Sequence, residues 1–146
     1  MTKNIILLVE DNSDDEELTL MAFKQSKIAN KVVVVHDGVE ALEYIFGASQ
    51  SSGNVVNELP QLMLVDLKLP RLGGLDVLKR IRSDPRTQLL PVVIFTSSSE
   101  EEDILSSYRL GANSYVRKPV EFQNFAEAIQ HLGLYWLIIN QSPPQR

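Results

Sequence analysis

The sequence predicts an α/β domain in which five β-strands and five helices alternate to form a doubly wound (βα)5 sheet. Three observations carry this. Four short runs are apolar at every position: Ile5-Ile6-Leu7-Leu8-Val9, Val32-Val33-Val34-Val35, Leu62-Met63-Leu64-Val65 and Val92-Val93-Ile94-Phe95. Continuous rather than alternating apolar runs suit strands buried on both faces, as in a parallel sheet covered by helices. The spacers between the runs show helical periodicity, and right-handed crossovers restrict the topologies sharply.

Taken in order, the first strand is followed by Leu18, Met21, Ala22 and Gln25 at helical spacing. Ser13-Asp14-Asp15-Glu16 reads as a capping box with Ser13 at the N-cap, so the acids from Asp14 to Glu17 are expected to serve the helix start. Val39, Leu42, Ile45 and Phe46 form the second helical stripe, and Leu75, Leu78 and Ile81 the third. Glu100 to Asp103, after Ser97-Ser98-Ser99, reads as the acidic first turn of a capped fourth helix carrying Ile104, Leu105 and Tyr108. A weaker fifth strand, Ser114-Tyr115-Val116, precedes a long helical segment from Glu121 to about Asn140. Gly47 to Asn54 reads as a polar loop, and Ser142 to Arg146 as a frayed tail. The expected organisation is one domain over residues 1–146, with its core at about 4–140, no linker and no output domain.

Composition narrows the function. The 146 residues include 14 Lys and Arg against 19 Asp and Glu, a net charge of −5, and 44% are hydrophobic. That apolar fraction suffices for a core without disulfide or metal staples. The absence of cysteine removes thiolate chemistry and thiolate zinc sites. Scattered cations in an acidic chain argue against a nucleic-acid partner. The apolar run at the N-terminus is too short for a signal peptide, and Leu134 to Ile139 is far short of the roughly 20 residues of a membrane span. A cytoplasmic protein without membrane or nucleic-acid contacts is expected.

In open α/β sheets ligands bind outside the carboxyl ends of the strands. There the sequence places Glu10-Asp11, His36-Asp37-Gly38, Asp66, Thr96 and Lys118-Pro119. Glu10 and Asp11 precede the helix cap and are left unexplained by it. If Asp66 stands beside them, like charges about 4 Å apart repel by roughly 4 kcal/mol at a surface-like dielectric. Lys118 offsets part of this. A hard divalent cation such as Mg²⁺, which takes one or two carboxylates and keeps several waters, would offset the rest. A carboxylate can accept a phosphoryl group as a nucleophile. Such a transfer asks for an ionised Asp, a metal, a fixed cation and a hydroxyl donor. Asp66, Asp11 with Glu10, Lys118 and Thr96 fill these roles. His36 and His131 lack metal-ligand spacing and are assigned none.

These fragments resemble the receiver domain of two-component response regulators over about residues 4–140. The resemblance is carried by Leu8-Val9-Glu10-Asp11-Asn12, by Leu64 to Pro70 with Gly73-Gly74, by Phe95-Thr96-Ser97, and by Tyr115-Val116-Arg117-Lys118-Pro119, in order and at fitting separations. It implies a flavodoxin-like receiver fold with strand order 2-1-3-4-5. It also implies that Asp66 takes a phosphoryl group from the histidine of a sensor kinase, and that the protein is a signalling phosphoacceptor and not an enzyme acting on other substrates. Asp11 and Asp66 would then hold Mg²⁺ with the backbone carbonyl of Lys68, and Glu10 through water. Lys118 and Thr96 would meet phosphoryl oxygens, Tyr115 would change rotamer, and the Lys118–Pro119 bond would be cis. Gly73 and Gly74 would be turn residues. The message would leave through the face made by the fourth helix, the fifth strand and the fifth helix.

The long Gly47 to Leu59 loop, the stretch from Glu101 to Tyr108, and the apolar end with Tyr135, Trp136, Leu137, Ile138 and Ile139 resemble the stand-alone regulators paired with bacterial phytochromes. That resemblance implies a phytochrome as the kinase and a homodimer through the C-terminal helix region. Two alternatives are a pseudo-receiver acting only as a binding module, against which Asp66 and Lys118 speak, and an aspartyl-nucleophile phosphatase. The phosphatase chemistry wants a second acid two positions after the nucleophile, where Lys68 sits.

Overall fold

Three of the four apolar runs become the interior of a parallel sheet. In a computed structural model, which describes residues 5–26, 28–47 and 59–144, the elements alternate as expected. They are β1 (Ile5–Val9), α1 (Ser13–Gln25), β2 (Lys31–Val35), α2 (Gly38–Phe46), β3 (Leu62–Val65), α3 (Gly74–Arg82), β4 (Val92–Thr96), α4 (Glu101–Arg109), β5 (Ser114–Arg117) and α5 (Phe122–Gly133). The strand order is β2-β1-β3-β4-β5, all pairs parallel. Successive side chains on β1, β3 and β4 point to opposite faces, and both faces are covered, so these strands are apolar throughout.

One core lies between the sheet and α2 and α3. Leu7, Val9, Met63, Val65 and Ile94 meet Ala41, Leu42, Ile45, Phe46, Val77, Leu78 and Ile81 there. The other lies under α1 and α5, where Ile6, Leu8, Leu64, Val93 and Phe95 meet Ala22, Phe23, Phe125, Ala126 and Ile129. Phe95 and Phe125 pack edge to face, with centroids 5.1 Å apart. Each such fully buried side chain contributes about 1.5–3 kcal/mol. Edge strands β2 and β5 are only partly covered: Lys31 and Arg117 are exposed, and Val32 to Val34 half-buried.

Register sets the position of the site. Val9 pairs with Val35 and Val65, Val65 with Ile94, and Thr96 with Arg117. The carboxyl ends of the strands therefore share one rim. Backbone bonds carry the ladder one residue further, from Glu10 N to Val35 O (3.0 Å), Asp66 N to Val9 O (3.1 Å) and Lys118 N to Thr96 O (2.7 Å).

Several local expectations are corrected. The N-cap of α1 is Asn12 and not Ser13: the Asn12 side chain accepts from Asp15 N at 2.9 Å. Both residue types cap well, and the extended backbone falls on Asn12. This puts Asp15 at the third helical position. The α4 helix starts one residue later than its acidic run, with Glu100 at the cap and no side-chain cap bond. The α5 helix ends at Gly133 and continues as a π-helical segment, Leu134–Ile139, in which Asn140 N bonds back to Tyr135 O. At Gly133 an added Cβ would lie 2.4 Å from Ile28 Cδ1, so glycine lets the helix end sit against the α1–β2 connection.

The expected cis bond at Lys118–Pro119 is trans, for there is no cis peptide among the described residues. Trans is the form an X–Pro amide prefers by about 0.5–1 kcal/mol. Most of the expected Gly47–Asn54 loop and the end of the tail lie outside the described residues. No helix among the described residues is long and apolar enough to cross a membrane.

Candidate functional site

Because Glu10, Asp66 and Lys118 each stand one residue beyond a strand, their side chains converge at the rim. The Lys118 ammonium, almost wholly buried, donates to Glu10 Oε1 at 2.7 Å, Asp66 Oδ2 at 2.7 Å and Asp15 Oδ2 at 2.8 Å. It also lies 5.9 Å from the centroid of the Phe95 ring. Glu10 is 2% exposed and Asp66 9%. The second oxygen of Glu10 accepts from Asn12 N at 3.2 Å, and Asp66 Oδ1 from Lys68 N at 3.4 Å.

Three carboxylates about one ammonium leave a net charge of −2 when all are ionised. Burial pushes the Glu10 carboxyl up to about 7, the Asp66 charge adds to this, and Lys118 only partly opposes it. For Lys118 burial pulls the other way, yet hydrogen bonds to Asp15, Asp66 and Glu10 outweigh it and hold the amine above its ordinary range. The ammonium is therefore secure and the excess charge sits on the acids.

Asp11 is exposed on the β1–α1 connection, and one oxygen each of Glu10, Asp11 and Asp66 lie within 4.8 Å of one another. Three hard oxygen donors around one point, with surplus negative charge, fit a hard divalent cation with open positions for water. The sequence brought this trio together correctly.

Thr96, the last residue of β4, is fully buried, and its Oγ1 accepts from Ser98 N at 3.5 Å. Tyr115 stands half-buried on β5 with its hydroxyl donating to Ser98 O at 2.9 Å. Burial raises its ionisation range, against a smaller opposing pull from that bond. Ser98 in turn donates to Asp103 Oδ2 at 2.6 Å, tying the β4–α4 connection to the first turn of α4. Close approach of the β3–α3 connection needs Gly74, where an added Cβ would lie 2.2 Å from Asp66 O.

Sequence reasoning missed three contacts. Asp15, taken as a helix-start acid, reaches Lys118. Arg71, at φ 63, makes a two-pronged pair with Asp37, the N-cap of α2, at 2.9 and 3.1 Å. Ser98 holds Asp103. His36 contacts Glu16 at 2.9 Å on the surface.

A family model described as the response regulator receiver domain matches residues 6–130. The chain belongs to the response regulator receiver family. Receivers are signalling domains of two-component systems.

Among similar proteins, the probable methanogenesis regulatory protein FilR2 of Methanothrix harundinacea is 34% identical over 95% of this chain and 87% of its own. The response regulator Rcp1 of Synechocystis is 34% identical over 91% of this chain and 88% of its own. A phosphorylated cyanobacterial phytochrome response regulator, RcpA, superposes with a TM-score of 0.87 at 34% identity, covering 99% of this chain and 100% of RcpA. Rcp1 has also been solved in a Mn²⁺-bound form, with a TM-score of 0.86 at 31% identity over 96% of this chain and 99% of that one. This receiver is thus related to phytochrome response regulators.

Proposed function

We propose that this receiver accepts a phosphoryl group on Asp66 from the phosphohistidine of a sensor kinase, and signals by changing a protein-contact surface. The observation that carries the reading is the buried pairing of Asp66 with Lys118 beside Glu10, with Thr96 fully buried at the neighbouring strand end. In the transfer an Asp66 oxygen attacks phosphorus as the phosphorus–nitrogen bond breaks. The imidazole leaves with the electron pair and regains a proton.

Asp11 and Asp66, with the Lys68 carbonyl and with Glu10 through water, would hold Mg²⁺. When bound, the ion supplies positive charge that Lys118 alone does not. The Lys118 ammonium exchanges its Asp66 oxygen for a phosphoryl oxygen, and the Thr96 hydroxyl turns from the Ser98 amide to donate to another. With Thr96 drawn inward, Tyr115 leaves Ser98 O and follows. The state change is then read at α4, β5 and α5, where Leu105, Tyr108 and Phe122 are about half exposed, and at the β5–α5 connection, where Val120 is 96% exposed.

The likeness to RcpA supports a phytochrome as the kinase. The π-helical end favours a homodimer: Trp136 and Leu137 pack on this domain, whereas Leu134, Tyr135, Ile138 and Ile139 are 47–66% exposed. Light scattering of the parent beside Ile138→Glu tests this, and a parent that is monomeric at high concentration overturns it.

For the phosphoacceptor reading, the protein is incubated with acetyl phosphate and Mg²⁺ and weighed intact. One phosphoryl group is expected, lost with Asp66→Asn or a chelator. Absence of an adduct from acetyl phosphate and from a phosphorylated kinase alike leaves only a binding module.

A further inference from the structure

The ammonium of Lys118 has three hydrogens, and each has a carboxylate. Two of these, Glu10 and Asp66, also belong to the acidic trio. The third, Asp15, stands outside the trio on the first turn of α1, with its side chain 27% exposed. Its backbone is pinned on both sides: its N–H donates to Asn12 Oδ1 at 2.9 Å, and its carbonyl accepts from Thr19 Oγ1 at 2.7 Å. An acid that served only the helix dipole would be free to face water, as the exposed Asp14 does. Asp15 instead reaches a buried lysine 103 residues away in sequence.

A cation among Glu10, Asp11 and Asp66 competes with the Lys118 ammonium for oxygens of Glu10 and Asp66. A carboxylate outside that contest is the partner the ammonium keeps. We propose that Asp15 is a positioning residue for Lys118, anchoring the ammonium when a divalent cation engages Glu10 and Asp66, and presenting it to the incoming phosphoryl oxygen. This rests on the phosphoacceptor reading of Asp66. Without Asp15, both remaining partners of Lys118 are contested, so the cation binds more weakly and phosphoryl acceptance slows.

The test compares the parent with Asp15→Asn, Asp15→Glu, Asp14→Asn, Lys118→Met and the combination of each Asn variant with Lys118→Met. Mg²⁺ affinity is read by calorimetry, and the rate of phosphoryl gain from acetyl phosphate by intact mass at saturating Mg²⁺. Asp15→Asn is expected to slow acceptance about tenfold, the worth of one hydrogen bond to a charged group. Asp14→Asn, equal in charge, should match the parent rate, and Asp15→Glu should restore most of the loss. Asp15→Asn should also weaken Mg²⁺ more than Asp14→Asn does, an excess that vanishes when Lys118 is Met. Equal effects of the two Asn variants, or an excess that persists without Lys118, overturns the proposal. A parent that takes no phosphoryl group sinks the reading of Asp66, while the affinity comparison still decides whether Asp15 acts through Lys118.

Discussion

Replacing Lys118 by Met is the sharpest probe of the charge balance at the strand ends. It keeps most of the apolar stem, and it strips Glu10, Asp15 and Asp66 of their shared donor. Breaking a buried ion pair by removing one partner costs about 3–5 kcal/mol, since the remaining charge stays desolvated. Glu10 can relieve part of this by keeping a proton, so the lower end, about 3 kcal/mol, is expected without divalent cation. For a domain of this length, with total stability of roughly 7–15 kcal/mol, the variant still folds.

The same substitution removes the ammonium that competes for the trio. Mg²⁺ is therefore expected to bind about tenfold more tightly, which at saturating concentration returns about 1.4 kcal/mol relative to the parent. Urea unfolding followed by circular dichroism, with and without Mg²⁺, should show a stability gap that shrinks by about half when the ion is present. A gap of the same size in both conditions would mean that Lys118 and the cation do not share these carboxylates.

Three further outcomes test the supporting structure. Asp37→Ala removes the N-cap of α2 together with the Arg71 pair, and should cost about 2 kcal/mol in urea unfolding; a loss under 0.5 kcal/mol, about the worth of an exposed pair alone, contradicts the cap's weight. Asp37 is held below its ordinary range, where the Glu40 amide and Arg71 outweigh burial, and Asp84 far below it, through Arg86 first and then against burial. With both depressed, their stabilisation is complete above the unfolded value of about 3.8 and is lost as pH falls through the lower folded values. Acid unfolding should thus become shallower in the Asp37→Asn, Asp84→Asn double variant; an unchanged slope would refute it. Gly74→Ala should displace the end of β3 and slow phosphoryl acceptance by Asp66 more than it lowers stability, because the added Cβ would meet the Asp66 carbonyl; unaltered phosphoryl-transfer kinetics would show that the connection yields freely.

How legible each part was in the sequence follows from how local its cause is. Strands β1, β3 and β4 are central, so burial on both faces writes itself as an unbroken apolar run. The valines of β2 give the same signal on an edge strand, where Val32 to Val34 are only half-buried, and no local pattern distinguishes the two. Asn12 and Ser13 both suit an N-cap, and the choice between them depends on where β1 delivers the chain. The 3.6-residue and wider π periods cannot be told apart in Leu134 to Ile139, where every position is apolar. Glu10, Asp11 and Asp66 were readable because strand ends are defined by the strands themselves. Asp15 was not: a helix start already explains an acid there, and its partner comes from β5. Arg71 finds Asp37 only because the β3–α3 and β2–α2 connections meet at the same rim.

The site is also a poor way to stabilise a fold, and that bears on its purpose. Desolvating an ion pair recovers little or nothing over a well-packed apolar substitute. Here the pairing is not even balanced, for three carboxylates crowd one ammonium and Asp11 stands by as a fourth acid. Burial, with the Asp66 charge adding to it, pushes Glu10 up to about 7 even with Lys118 beside it. A surplus of negative charge at the closed end of a sheet makes sense where a cation completes it. Phosphorylation of Asp66, as proposed, would add negative charge beside the same ammonium. Lys118, held from α1 as well as from β1 and β3, is the group through which such a change in charge would be felt by three elements at once.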